Sequence, residues 1–366
     1  MSYRTRDVSK YRSRSSRNTG RYQRKKYTFP RKWLLGLAGL LVAVLLTLGI
    51  RNCWLWLSHK DSDAGIAEAF HDEPGTDYTR IDAATLALQP LPGEGVGHFA
   101  LRLVQPARTT VEQARSIFRW IADNVAYDKE MTASNNPDDV AVETVFVKRK
   151  TICSGYAQLY EAMAHAVGLE CEVIHGWAKN LNATAATGDH AWNAVKVNGR
   201  WGLLDPTWAA GSVGRDGFVK GFKPWYFLPN PEYFVQSHLP SHPRWQFVDP
   251  PWTLARFDAL PRTWSSFFEL GLVLGSHLNK TITITNGELH FWILAPRDVY
   301  LNARFYQGST ELSLPPQLEG RAPETLKYEW VFNISGHHPD RFVVFAGKKR
   351  YDYQESVVEY TIQTTP

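Results

Sequence analysis

Residues 188–208 read GDHAWNAVKVNGRWGLLDPTW. Asn198-Gly199 sits between two runs of apolar and polar residues, the strongest short hairpin signal, because both central positions of a tight hairpin turn take positive φ. With a two-residue turn, Val197 faces Arg200, Trp192 falls opposite Asp205, and His190 falls opposite Thr207. Side chains repeat every second residue along a strand, so His190, Trp192 and Asp205 share one face. His190 and Asp205 become diagonal neighbours, about 7–8 Å apart at the backbone, a gap that their side chains can bridge. An aspartate so placed accepts the imidazole N–H, fixes the tautomer and stabilises imidazolium. The other ring nitrogen is left for a partner.

That partner is sought upstream, in Thr151-Ile152-Cys153-Ser154-Gly155-Tyr156. A helix is predicted from about Thr151 to Val167, with Ile152, Tyr156, Leu159, Met163 and Val167 on one side and Gly168 ending it. Cys153 therefore stands at a helix N-terminus, where partial positive charge and free N–H groups favour thiolate. Its backbone N–H can also donate to an oxyanion, and Gly155 is expected to keep the helix start slim for an approaching substrate. The ordinary role of a lone cysteine is a small buried hydrophobe, but an oriented histidine–aspartate pair downstream argues for an activated nucleophile. Cys171 is the rival; it lies between Glu170 and Glu172 in a buried-reading strand, Cys171–Ala178, and is rejected as the reactive thiol.

Further upstream, Thr109-x-x-Glu112 and Thr110-x-x-Gln113 match a capping box, followed by Val111, Ala114, Ile117, Phe118, Ile121 and Val125 at helical spacing. Residues 77–106, interrupted by Pro90, Pro92 and Pro106, read as an extended arm, and 212–262 as an irregular, aromatic-rich elaboration. From about residue 275 short alternating runs (TITIT, LHFWIL, VYLNARFY, LKYEWVF, FVVFAG, VEYTIQ) predict a small β-sandwich.

With these motifs in hand, the sequence resembles the transglutaminase-like superfamily. The likeness rests on Cys153-Ser154-Gly155-Tyr156, Gly188-Asp189-His190-Ala191-Trp192-Asn193 and Trp201 to Trp208, with Ile117 to Asp128 matching the segment upstream of the cysteine. It is nearest the kyphoscoliosis-peptidase-like branch, which includes a yeast cytokinesis protein; Tyr226 to Pro231, Ser237-His238-Leu239-Pro240 and Trp245-Gln246 fit that branch. The resemblance implies an α+β fold, a papain-like transglutaminase core of helix-start cysteine plus antiparallel sheet, and chemistry without metal or cofactor. It implies Cys153, His190 and Asp205 as catalytic residues, supported by Tyr156, Trp192 and, as a suggested second oxyanion donor, Trp120. His238 lies outside the triad motifs and is read as structural.

The N-terminal part is of another kind. Trp33 to Ile50 is a charge-free apolar run, continued past Arg51-Asn52 by Trp54 to Leu57. About 20 such residues cross a hydrocarbon core. A secretory signal is the alternative, but its apolar region is shorter and ends at a small-residue cleavage site, which is not seen here. Residues 1–32 hold 12 Lys or Arg and one acid, so that while the whole chain carries +5, the remainder carries −6. The positive-inside rule then puts the N-terminus in the cytoplasm and the later domains outside. With the basic charge confined to a tail, no groove for nucleic acid is expected. Three cysteines among 366 residues make no disulfide framework.

The expected organisation is a basic disordered cytoplasmic tail (1–32), a single-pass transmembrane helix (33–57), a linker (58–76), a transglutaminase-like catalytic domain (77–270) and an Ig-like β-sandwich (271–366). The expected activity is that of a membrane-anchored thiol enzyme on protein or peptide amide bonds, as protease or acyl transferase. Two alternatives are a non-catalytic envelope scaffold and an acyltransferase using a small thioester donor. The partners expected are a protein or peptide substrate and the membrane; the oligomeric state is open.

Overall fold

The computed structural model describes residues 69–73, 75–133, 140–179, 190–214, 217–321, 325–349 and 354–365. The expected tail, the spanning helix over 33–57 and most of the linker lie outside the described residues. Among the described residues no helix is long and apolar enough to cross a membrane.

The proline-punctuated region 77–106 is not an extended arm. It forms α1 (Thr79–Leu86) and α2 (Val96–Leu103), because the prolines fall between and after two segments each long enough for two turns. Helix α2 carries Phe99, Ala100 and Leu103 into the core. Next comes α3 (Thr110–Asn124), whose N-cap Thr109 accepts the Glu112 N–H. The Glu112 carboxylate reaches back to the N–H of Arg108, at 2.6 Å, one residue before the cap itself. Strand β1 (Ala126–Tyr127) pairs in parallel with β2 (Lys150–Thr151), and α4 (Val142–Lys148) lies between them in the chain.

Helix α5 (Cys153–Ala166) starts directly after β2. Its N-cap, Ile152, is extended and contributes no side-chain cap. The space that a Cβ at Gly155 would need is filled by the Thr151 side chain. Gly155 is thus required by β2 packing under the helix start rather than by room for a substrate. The helix ends at Gly168, φ +84°, with the Leu169 N–H returning to the Ala164 carbonyl, the geometry that relieves unpaired C-terminal carbonyls.

Four antiparallel strands follow in spatial order β5-β4-β3-β8: β3 (Cys171–Ala178), β4 (His190–Val197), β5 (Arg200–Leu204) and β8 (His238–Pro240). The β4–β5 turn is as the sequence predicts, with Asn198 at φ 50°, Gly199 at φ 77° and Val197 facing Arg200. The ladder runs to Asn193–Leu204 and stops there. Asp205 instead caps α6 (Pro206–Ala210), because Pro206 has no N–H for a ladder and its fixed φ suits a first helical turn. Beyond α6, Gly211–Gly214 and Gly217–Lys220 pair as a short hairpin, β6 and β7. Strand β4 is buried along nearly its whole length. Asn193 ties it to α5 by donating to the Ala157 carbonyl at 3.0 Å.

A second core lies between two further sheets. One has the order β10-β12-β16-β15: Val273–Leu274, Glu288–Leu294, Lys327–Asn333 and Leu318–Arg321. The other has the order β11-β18-β17-β13-β14: Thr281–Ile284, Glu355–Thr364, Arg341–Gly347, Tyr300–Gln307 and Thr310–Leu312. Alternating burial along β12 sends Phe291 and Ile293 into this core; β17, buried on both faces over Phe342–Val344, adds Phe342 and Val344 to it. Strand β9 (Arg262–Thr263), from the stretch read as irregular, pairs with β18. Phe268 stacks on Trp225 and Tyr233, with ring centroids at 5.1 and 5.5 Å, so aromatic packing joins the two cores.

Candidate active site

The start of α5 and the start of β4 meet. Cys153 is partly exposed and free. Burial aside, the groups that set its charge state are His190 and the backbone N–H of Ala191, both of which lower the thiol pKa. His190 Nε2 lies 2.7 Å from Asp205 Oδ2, leaving Nδ1 for the thiol. An ionised carboxylate can only accept, so Nε2 must carry the hydrogen. The three residues that the hairpin register and the helix start single out are therefore brought together. Asp205 reaches His190 from the residue just beyond β5, not from within the ladder.

Asp205 is completely buried, and every part of its carboxylate is engaged. Oδ1 accepts the N–H groups of Thr207 and Trp208 at 2.7 and 3.1 Å, the N-cap bonds of α6. Oδ2 accepts from His190 and also from His238 Nε2, 3.0 Å away. Burial pushes the carboxyl up, but the charge and hydrogen bond of His190 and the bond from His238 outweigh it and hold Asp205 well below the ordinary carboxylate range. Burial disfavours charge on His190; Asp205 first and Cys153 second reverse this and raise it to about 10. For Cys153 burial raises the pKa, while the His190 hydrogen bond and charge and the Ala191 N–H bring it below the ordinary thiol value. All three directions favour a thiolate–imidazolium pair backed by a carboxylate.

Around this cluster the rings of Trp192 and Trp208 each lie 5.8 Å from His190. Tyr127, half-buried on β1, is pushed up to about 12 by burial and then by the charges of Cys153 and Asp205. Trp192 thus sits where the sequence puts it. Tyr156 acts at a distance: its hydroxyl donates to the Val125 carbonyl at 2.7 Å and ties α5 to the end of α3. Trp120 is not brought to the thiol. Its ring packs on Phe99 and Phe146, at 4.6 and 5.8 Å, beneath the Arg149 guanidinium, and its role as oxyanion donor is withdrawn. Cys171 is buried, and its thiol is pushed well up, by burial first and then by Glu161 and Glu172.

His238, read as structural, belongs to the cluster. Among the described residues His190, Asp205 and His238 are the group of three potential metal ligands whose ligand atoms converge, within 4.8 Å; the hydrogen bonds within the group use those same atoms. The Ser-His-Leu-Pro segment was visible in the sequence. Nothing local, however, tells that a three-residue strand pairs with the end of β3, Ala178 facing His238.

Residues 97–206 match the transglutaminase-like superfamily. The chain is 32% identical over 280 residues to kyphoscoliosis peptidase of Homo sapiens, covering 74% of this chain and 40% of that protein. It is 30% identical over 218 residues to the Mus musculus protein of that name, covering 58% and 33%. It is 28% identical over 207 residues to cytokinesis protein 3 of Schizosaccharomyces pombe, covering 55% and 23%. The chain thus spans from 23% to 40% of the length of these curated relatives.

Proposed function

From a chain whose residues 97–206 are a transglutaminase-like domain with mixed helix and sheet, akin to kyphoscoliosis peptidase and cytokinesis protein 3, we propose a membrane-anchored thiol enzyme acting on protein or peptide amide bonds. The observation that carries this reading is the line of contacts from Cys153 to His190 to Asp205, with thiol and imidazole shifted in the directions that make an ion pair. The Cys153 thiolate attacks the amide carbonyl, forming a C–S bond. The carbonyl electron pair moves to oxygen, beside the N–H groups at the start of α5. As the tetrahedral intermediate collapses, the C–N bond breaks and His190 gives its proton to the leaving amine. Water or a second amine then attacks the thioester, loses a proton to His190 and releases Cys153. Asp205 holds the imidazole and its charge throughout.

The test uses the full-length chain in detergent, with casein and a fluorescent primary amine. Label joined to casein means transfer, and shortened casein means hydrolysis; either must vanish in Cys153→Ala. The absence of both, together with a Cys153 that alkylates like an ordinary thiol, sinks the enzyme reading. A non-catalytic scaffold is the second reading, favoured by relatives named for cytokinesis rather than for a reaction.

The anchor is part of this proposal: 33–57 spans the membrane, the basic tail lies in the cytoplasm and the later domains lie outside. Resistance to carbonate extraction, and digestion of residues beyond 58 by protease added to intact cells, are the expected results. Release into the carbonate supernatant ends the anchoring reading.

A further inference from the structure

The feature of this site that a Cys-His-Asp arrangement does not call for is a second imidazole on the carboxylate. His238 Nε2 and His190 Nε2 both approach Asp205 Oδ2, at 3.0 and 2.7 Å. Since the ionised oxygen only accepts, both rings present an N–H to it. The other oxygen, Oδ1, already holds two backbone N–H groups, so His238 cannot be served elsewhere on the carboxylate. The two imidazoles divide one oxygen between them.

His238 is held in this position from several sides. It is completely buried. Its ring lies flat on Phe234, centroids 4.2 Å apart and planes within 9°, and Trp208 meets it at 4.6 Å. Nδ1 is 2.8 Å from the Ser237 hydroxyl. Its backbone pairs with Ala178 of β3. Among the described residues, titratable groups facing the ring include Asp205 at the end of β5, His190 on β4 and Tyr226, whose ring is 5.9 Å away.

We propose that His238 is a positioning residue of the thiol site, which, by occupying part of Asp205 Oδ2, tempers the carboxylate's hold on His190 and so sets how readily His190 parts with its proton. The proposal rests on the reading of Cys153, His190 and Asp205 as the reacting groups. A donor on a carboxylate withdraws charge from it, and a carboxylate with less charge stabilises a neighbouring imidazolium less. The benefit falls on the step in which His190 must surrender its proton to a poor leaving group. A general acid held too tightly as imidazolium is a slow one. With His238 gone, Oδ2 serves His190 alone and the thiolate–imidazolium pair tightens.

The experiment follows alkylation of Cys153 by iodoacetamide as a function of pH, read by mass spectrometry of the peptide containing Cys153, in the full-length chain. It needs no substrate. His238→Phe keeps a ring to stack on Phe234 but has no donor; His238→Gln keeps an N–H. In His238→Phe the apparent thiol pKa moves down by about half a unit, while His238→Gln stays within about 0.2 unit of the wild type. Where circular dichroism shows His238→Phe unfolded, His238→Leu gives the same reading. A profile that is unmoved or moves up in the donor-less variant overturns this proposal alone, as does a His238→Gln that moves as far as His238→Phe. A wild-type profile like that of an ordinary thiol overturns the proposed function and this inference with it.

Discussion

At Asp205 four hydrogen-bond donors from three parts of the chain meet one buried carboxylate. A charge taken out of water survives only with such company, and removing one member leaves the rest unpaired. Asp205→Ala is therefore expected to destabilise the protein by about 3–5 kcal/mol in urea unfolding, well beyond the loss of an N-cap, about 0.5–2 kcal/mol. His190 carries a pH signature. Its pKa is raised to about 10 from an ordinary 6.5, burial opposing and Asp205 prevailing, so the folded state holds its proton more tightly than the unfolded chain. That stabilisation is whole below pH 6.5 and fades as pH rises through about 10. The stability gap between the wild type and His190→Gln should be widest near pH 6 and narrow steadily toward pH 10, measured by urea midpoints at stepped pH. A gap that widens with pH would contradict the assignment.

Elements place these residues, and Gly176 on β3 shows how closely. It faces His190 on β4 on one side and Pro240 on β8 on the other. A Cβ there would meet the Leu239 carbonyl and the Trp192 ring. Gly176→Ala must push β8, and His238 with it, away from the sheet. The expected cost is about 1–3 kcal/mol in the urea midpoint, the range for overpacking, together with a shift of the Cys153 alkylation profile in the direction that His238→Phe shows. The same level explains what local reading caught. The Asn198-Gly199 turn dictates its own register because its positive φ values suit the twist of the strands it joins, and Thr109 announces α3 because its hydroxyl satisfies a first-turn N–H. The prolines of residues 77–106 suggest an extended arm, but each proline acts only at its own position and the one before it, which leaves Thr79–Leu86 and Val96–Leu103 free to form helices.

For the whole molecule the decisive fact is that, among the described residues, two large hydrophobic cores lie beside a small cluster around Leu239 and Phe257, the large ones joined through Phe268 and the β9–β18 pairing. Trp330, 1% exposed, lies in the second core. Trp330→Ala should cost about 3–5 kcal/mol in thermal or urea unfolding, yet leave the pH profile of Cys153 alkylation unmoved in the folded protein, because that thiol is set by the first core. A profile that shifts with Trp330→Ala would show the two cores to be coupled.

The sequence by itself determined the β4–β5 hairpin and the cysteine at a helix start, both of which follow from backbone preferences within a few residues. The hairpin register also pointed to His190 and Asp205 as neighbours, although Asp205 leaves the ladder to cap α6 and reaches His190 from there. Only the tertiary structure decided that Trp120 lies under Arg149 in the core, that Thr151 occupies the space beside Gly155, and that β8 closes the sheet so that His238 shares the oxygen that holds His190. Those placements come from packing between segments distant in the chain. Such contacts form because they fill space and satisfy buried polar groups after folding, and no short stretch of sequence carries a sign of them.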